Sequence, residues 1–475
     1  MKTAIKTFIL VLLIITVLAA CGAQEQEIFD VDFTFNGGKT DLEGATIRYL
    51  RETGGQGIHY TGSDQVLGYE MDTVLGDLAM KRIKEVQDNL NCKFDIVYFS
   101  DVASSYADYN NFRMNNAIGE YYCDVFCGVS DRFREDMKSG SLMGLSELEE
   151  FIDYRNEEKW GRRNILEVLY WEDDVYGLVP MSWPASSVSY QGLTIVNEDL
   201  VAAVSAVDPR DYYENGQWTW ATFRDCLERY YVQEGSEVKQ YALTCQYDGD
   251  LAMVYILSNG YRLAEKGPDG NYRSGLHDPR AMTAMNEARD VYGGPLSYTI
   301  DINERHIDAL NAGNTVIGVL HMSEYLDNLI KVMTNFGVIA WPSGPDVDPG
   351  FIAANHMNLE RAIVISRFSK NVEATAIAIN ALYEPFDEYP TSDSVREFLY
   401  HTYFFDRRDA DMYYEMFLNS QYSYFASAVW NSLFGWLDFT KTPTEYIESK
   451  LPEIETYIEK EVAPSKRGMD AVWGE

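Results

Sequence analysis

Basic side chains are scarce in this 475-residue chain: 39 Lys plus Arg stand against 74 Asp plus Glu, a formal net charge of −35. That shortage excludes a nucleic-acid partner, because phosphate backbones are held by a basic surface. It favours a self-repelling, dissolved protein and a neutral or cationic small partner. Histidine is also sparse. The six residues are scattered and none forms His-Glu-x-x-His. Beyond Cys21 there are five cysteines: Cys92, Cys123, Cys127, Cys226 and Cys245. Five is odd, so at least one stays unpaired or pairs between chains. Cys123 and Cys127 have no second cysteine pair or histidine cluster beside them, so buried thiols are expected, with no metal and no cofactor. Long apolar runs are absent apart from Phe8–Leu18, which is too short for a comfortable membrane span. There is no internal repeat and no low-complexity tract.

What is present describes a globular protein of more than one unit. Hydrophobic residues make up 46% and charged residues 24%, which is ordinary for a folded chain. The length exceeds what one hydrophobic core usually organises, so two lobes are expected. Tyrosine is unusually frequent, at 34 residues against 22 Phe and 9 Trp. A ring with a polar tip stacks on an apolar face and still hydrogen-bonds at its rim, a combination suited to sugar rings. At the N-terminus, Lys2 and Lys6 precede the apolar run, which ends Leu18-Ala19-Ala20-Cys21. This resembles the lipobox of bacterial lipoproteins. The resemblance implies a signal peptide over 1–20, a lipid on Cys21, an acidic tether over 21–40, and a home on the extracytoplasmic face of the cell membrane.

Apolar periodicity divides the rest into alternating strands and helices. Strands are expected at Ala45–Leu50 and Phe94–Phe99, with a helix between them carrying Met71, Val74, Leu75, Leu78, Ile83, Val86 and Leu90. This is a βαβ pattern and hence an α/β lobe. Tyr121–Val129 is a further strand candidate, Trp160–Tyr170 reads as helix, and Val175–Val179 and Gly192–Val196 as short β runs. Pro180, Trp183 and Pro184 lie between those runs and mark a crossing between lobes. Trp218–Phe223 has the pattern of a helix start, with Thr219 as cap and Trp218 and Phe223 as a hydrophobic staple. Strands follow at Tyr241–Gln246, Thr315–Leu320, Gly337–Ala340 and Ala362–Ser366, and helices at His306–Ala312, Ser323–Val332 and Ser369–Tyr383. The segment Trp341–Pro345 is a second breaker cluster. After Pro390 the chain reads as largely helical.

Several short motifs then occur in a telling order. They are Val175-Tyr-Gly-Leu-Val-Pro180, Leu193–Leu200, Trp218–Phe223, Asn311-Ala-Gly-Asn-Thr-Val-Ile317, Gly337–Pro345 and Ser369-Lys-Asn-Val-Glu-Ala374. Together they resemble the extracellular solute-binding proteins of ABC importers, the family-1 type that includes maltose-binding protein. Departures are Val196 where a Tyr is usual, Thr222 where an acidic residue is usual, and Val316 and Ile317 in the third-last segment. The resemblance implies an α/β, two-lobed periplasmic-binding-protein-like (type II) fold with a ligand cleft between the lobes. It implies discontinuous lobes, 41–185 plus 342–390 and 186–341 plus 391–475. It implies a monomer that delivers a solute to ABC permease subunits and alters nothing.

By position in that pattern, Tyr190, Gln246, Tyr247, Asp248, Asp250, His321, Ser323 and Tyr325 face the ligand. Trp430, in Ser427-Ala428-Val429-Trp430, resembles a sugar-stacking tryptophan. Arg51, Tyr60 and Asp131 fall at strand C-terminal ends, the general binding edge of α/β sheets, and Trp183 sits in the crossing. Oligosaccharide is the expected ligand. A peptide, a polyamine or a metal chelate stays open, as does a glycoside hydrolase using Asp248 and Asp250, although neighbouring carboxylates in one loop rarely attain the separation hydrolysis needs. The lipobox reading predicts that labelled palmitate is incorporated into the wild-type chain in a bacterial host and not into Cys21→Ala, which is released from the membrane fraction.

Overall fold

The computed structural model describes residues 37–39, 41–52, 65–99, 107–184, 190–245, 248–262, 264–276, 278–299, 310, 312–320, 329, 333, 335–352, 354–356, 361–422 and 441–474. In chain order the main elements are β1 (Ala45–Glu52), α1 (Val74–Leu90), β2 (Cys92–Phe99), α2 (Ala107–Ala117), β3 (Val125–Val129) and β4 (Leu193–Asn197). There follow α3 (Trp220–Tyr230), β5 (Glu237–Cys245), α4 (Asp248–Ser258), α5 (Pro279–Tyr292), β6 (Ser297–Thr299), β7 (Thr315–Leu320), β8 (Phe336–Ile339) and β9 (Arg361–Ile365). The C-terminal part supplies α6 (Val372–Leu382), α7 (Ser392–Tyr403), α8 (Arg407–Leu418), α9 (Pro443–Tyr457) and α10 (Ala463–Trp473).

Two sheets share one plan. In the first, β1 lies between β2 and β3, parallel to both, and β9 closes the sheet antiparallel to β3. In the second, β5 lies between β6 and β7, parallel to both, and β4 joins antiparallel to β7, followed by β8. Each sheet thus reads second, first, third and then an inserted antiparallel strand. Strands β3, β4, β7 and β8 are buried along their whole length. This explains their continuous apolar runs, since helices cover both faces of such sheets. Helix α6 is buried on every side from Ala374 to Leu382, which fits its Ala/Ile composition.

Local chemistry sets the ends of the elements. Thr73 caps α1 by accepting the Gly76 N–H, and Asn91 ends it at φ 48°. Met71 and Val74 of the predicted stripe are exposed, because the buried face runs through Leu78, Ala79, Val86 and Leu90. Thr219 caps α3 and the Trp218 and Phe223 rings meet edge to face at 5.6 Å, as the staple predicts. The five cysteines after Cys21 are free and buried.

Three local expectations are corrected. Trp160–Tyr170 is not a helix: a short turn, Glu157–Trp160, stops at Gly161, whose φ of +84° cannot continue it. The β run Val175–Val179 holds only Val175 in a ladder, paired across the Tyr170–Trp171 and Asp174–Val175 hairpin. Beyond it only Leu178 bridges to Ile363. Strand β3 starts at Val125 rather than Tyr121 because the Asp124 carboxylate takes the Arg48 N–H, ending the ladder there. The expected helices at His306–Ala312 and Ser323–Val332 lie almost wholly outside the described residues.

Three short strands from distant parts of the chain, Tyr190–Gln191, Ala354–His356 and Ser420–Tyr422, pair into a small third sheet. Further on, α9 packs on α5, a π-helical turn spans Ile458–Val462, and α10 packs on the 170–175 hairpin. A Cβ at Gly468 of α10 would come within 2.8 Å of the Trp171 N, so the close approach needs glycine. A buried Lys466–Glu167 ion pair ties the same contact.

Helix α8 is fastened to β8 by one charge cluster. Arg210 Nη1 donates to both Asp409 oxygens at 2.9 Å, and Asp409 also accepts the Val338 N–H at 2.7 Å. Breaking such a buried pair from one side leaves an uncompensated charge, so Arg210→Ala is expected to cost about 3–5 kcal/mol in denaturant unfolding. Burial pushes the Asp409 carboxyl up to about 6 despite Arg210, and the Asp136 carboxyl up to about 6 despite Arg113. The folded state therefore binds protons more readily than the unfolded chain, whose Asp titrates near ~3.9. Stability rises as pH falls through that window. The melting temperature is expected to be higher at pH 5 than at pH 7.5, and Asp409→Asn to lose part of that rise.

Candidate functional site

The C-terminal ends of β1, β2 and β3 form one edge of the first sheet, the edge at which ligands meet α/β sheets. Arg51 and Glu52 end β1, and Asp131 follows β3 in the 3-10 turn Ser130–Phe133. Alternation along the strand sends the two β1 side chains to opposite faces. Glu52 is buried and anchors a polar knot. It accepts from the Tyr109 hydroxyl at 2.7 Å, from the Val129 N–H at 3.0 Å and from Arg132 at 3.1 Å, and Arg361 lies 3.8 Å away. Burial, and then the negative Glu52, push the Tyr109 hydroxyl well above its ordinary value, so it stays a donor. Arg132 also lies over the Tyr109 ring, 5.0 Å from its centroid.

On the other face Arg51 points towards Cys127 and a cluster of tyrosines. Its Nη1 lies 3.0 Å from Cys127 Sγ. Tyr98 holds the neighbouring hairpin turn by accepting the Leu67 N–H at 3.1 Å. Gly68 sits against the guanidinium: a Cβ there would lie 2.4 Å from Nη2. Tyr49 and Tyr383 share a hydroxyl–hydroxyl bond of 2.7 Å within the same cluster.

Trp183 is only 3% exposed. Its ring stacks on Phe386 at 4.4 Å and lies 4.9 Å from Tyr383 and 6.0 Å from Tyr69, and its N–H donates to the Glu384 carbonyl. Ser182 donates to the Tyr383 carbonyl and Tyr69 to the Pro184 carbonyl. The crossing is thus clamped onto the segment after α6, and Trp183 serves that clamp.

Of the other predicted site residues, Tyr190 lies in a strand paired with His356 and just precedes β4, at the edge where β7 ends. The backbone of Asp248 and Asp250 lies in the first turn of α4, which starts three residues after the last residue of β5, and Leu251–Leu257 behind them is buried. Tyr60, Gln246, Tyr247, His321, Ser323, Tyr325 and Trp430 lie outside the described residues, as does Cys21. Sequence reasoning missed Glu52, Tyr109, Arg132 and Arg361. Glu52 and Arg132 adjoin the chosen Arg51 and Asp131, so period-two alternation could have found Glu52. Nothing local marks Tyr109 or Arg361.

A cavity of about 400 Å³ opens at the opposite edge of this sheet, beside Arg48, Asp95, Tyr121, Asp124 and Lys370. Its central carboxylate is already committed. Asp124 accepts from the Arg48 and Lys370 N–H groups and from the Tyr121 and Ser369 hydroxyls. This is a structural knot on the edge away from the strand C-termini. Among the described residues no group of three or more His, Cys, Asp or Glu is arranged to hold a metal ion.

No protein-family model matches the chain, and no curated protein matches it in sequence. Solved structures do match in fold. A cyclo/maltodextrin-binding protein complexed with maltotetraose superposes with a TM-score of 0.59 at 11% identity, covering 89% of this chain and 99% of that one. A sugar transporter protein from Rhizobium etli, in an open conformation, gives 0.59 at 13% identity over 90% and 100%. An ABC substrate-binding protein from Listeria monocytogenes, in complex with cycloalternan, gives 0.51 at 14% over 91% and 100%. The chain has the two-lobed type II periplasmic-binding-protein fold, as the motif order implied.

The clamp around Trp183 predicts a packing effect. Trp183→Ala is expected to cost about 3–5 kcal/mol in denaturant unfolding, the range for a buried aromatic. A loss under ~1 kcal/mol would mean that the ring lies open to the cleft.

Proposed function

We propose that this protein is the solute-capturing component of an ABC importer, held on the extracytoplasmic membrane face by a lipid on Cys21, and that its ligand is an oligosaccharide. The observation that carries this reading is the fold: two sheets share one strand plan, and the similar structures, spanned almost end to end, are named as maltodextrin-binding, sugar-binding, substrate-binding or sugar-transporter proteins. Two lobes whose strand C-termini face a shared cleft bind a ligand from both sides. Only the closed state satisfies both halves of the contact set, so ligand shifts the population towards closure. A permease that reads the closed form then receives loaded protein. No bond in the ligand changes.

The abundance of tyrosine suits such a ligand, and Trp430 supplies the stacking face in this reading. The proposal is tested by a thermal-shift screen against oligosaccharides, peptides and polyamines. At a ligand concentration 100-fold above Kd, binding stabilises the native state by about 2.7 kcal/mol. A saccharide is expected to raise the melting temperature with no product formed, and Trp430→Ala to weaken that shift. A shift with a peptide or polyamine alone would reject the sugar assignment, and appearance of cleaved sugar would favour a hydrolase.

A further inference from the structure

Arg51 stands at the strand-end edge of the first sheet, and among the described residues no carboxylate balances its charge. Nη1 meets a thiol, Cys127 Sγ, at 3.0 Å. Nε is buried without a hydrogen-bond partner among the described residues. Its other described neighbours include the Tyr49, Tyr98 and Tyr383 hydroxyls, which burial pushes up from their ordinary values and so keeps neutral. The adjacent carboxylate cannot help. Glu52 lies on the other face of β1 with its oxygens committed to Tyr109, Val129 and Arg132.

A guanidinium carries five N–H donors in a planar fork that matches a carboxylate or sulfate. Leaving such a fork partly buried and uncompensated is costly. The guanidinium lies beside the Leu67–Gly68 turn, its Nη2 2.4 Å from where a Cβ on Gly68 would sit. A buried polar atom left without a partner calls for an explanation, and at a sheet's binding edge a ligand supplies one.

We propose that Arg51 is the counter-ion for an acidic group on the bound saccharide, so that the ligand is an anionic oligosaccharide, one bearing uronic-acid carboxylates or sulfate esters. This rests on the saccharide reading above and narrows it. It departs from the neutral or cationic partner that net charge favours. That charge is spread over the whole chain, and at physiological ionic strength exposed charges more than about 8 Å away are largely screened. A direct fork–carboxylate contact is charge-assisted and roughly twice as strong as a neutral hydrogen bond.

The test is calorimetric titration of the purified protein with three probes of equal length: an oligogalacturonate, its carboxyl-reduced neutral counterpart and a sulfated oligosaccharide. The acidic probe is expected to bind at least about tenfold more tightly than the neutral one, with carboxylate and sulfate arms showing which anion fits. Arg51→Met is expected to weaken the acidic probe at least about tenfold and the neutral probe much less, and Arg51→Lys to keep part of the preference. Without ligand, Arg51→Met is expected to raise the melting temperature, because it removes an unbalanced charge at nearly constant volume. Equal affinity for acidic and neutral probes, or Arg51→Met weakening both alike and lowering the ligand-free melting temperature, would overturn the inference and leave the saccharide reading standing. Binding of no saccharide at all would overturn both.

Discussion

Everything in the first lobe depends on one pairing. Strand β9, from residues 361–365, hydrogen-bonds antiparallel to β3, at 125–129, across about half the chain. The same strand reaches back to Leu178, whose N–H and carbonyl both bond to Ile363 at 3.0 and 2.7 Å. These bonds force the chain to leave the first lobe after Pro184, build the second, and return. They cost loop-closure entropy that only a large buried interface can offset, and α6, buried on all sides, supplies it directly after β9.

From that return follows the clamp. Tyr383, Glu384 and Phe386, which end α6 and follow it, receive Ser182 and Trp183 of the outgoing crossing. Lys159 enters the same place, 3.1 Å from Asp153, 3.0 Å from Asn380 and 2.5 Å from Glu384. Arg82 donates to the Glu384 and Pro385 carbonyls. The start of the crossing is therefore a rigid piece of the first lobe. Beyond it, three short strands at 190, 354 and 420 bring distant segments of the chain side by side.

The sequence disclosed most of this architecture where period and capping act locally. The β1–α1–β2 unit, the Thr219 cap with its staple and the Ala/Ile helix needed no tertiary knowledge. It misled where a tertiary contact overrides local pattern. Gly161 breaks a segment with helical composition, and the apolar run 175–179 packs as a buried irregular stretch because Pro180 and the clamp dictate its path. The site was legible only in part. Strand-end position picked out Arg51 and Asp131, while Glu52's role needed its partners at 109, 129, 132 and 361 to be brought together by the fold. Trp183, a ligand candidate by its place in the proline-rich crossing, is buried in the clamp, since aromatic character alone does not separate a stacking platform from a packing element.

In the proposed function two lobes close around a ligand that both of them contact. Small-angle X-ray scattering of the purified protein, with and without the saccharide that stabilises it most, measures that closure. A smaller radius of gyration is expected in the saturated sample, with the melting-temperature shift and the contraction following the same concentration dependence. An unchanged radius of gyration at full saturation would show that the ligand leaves the two lobes apart, and would overturn capture by closure.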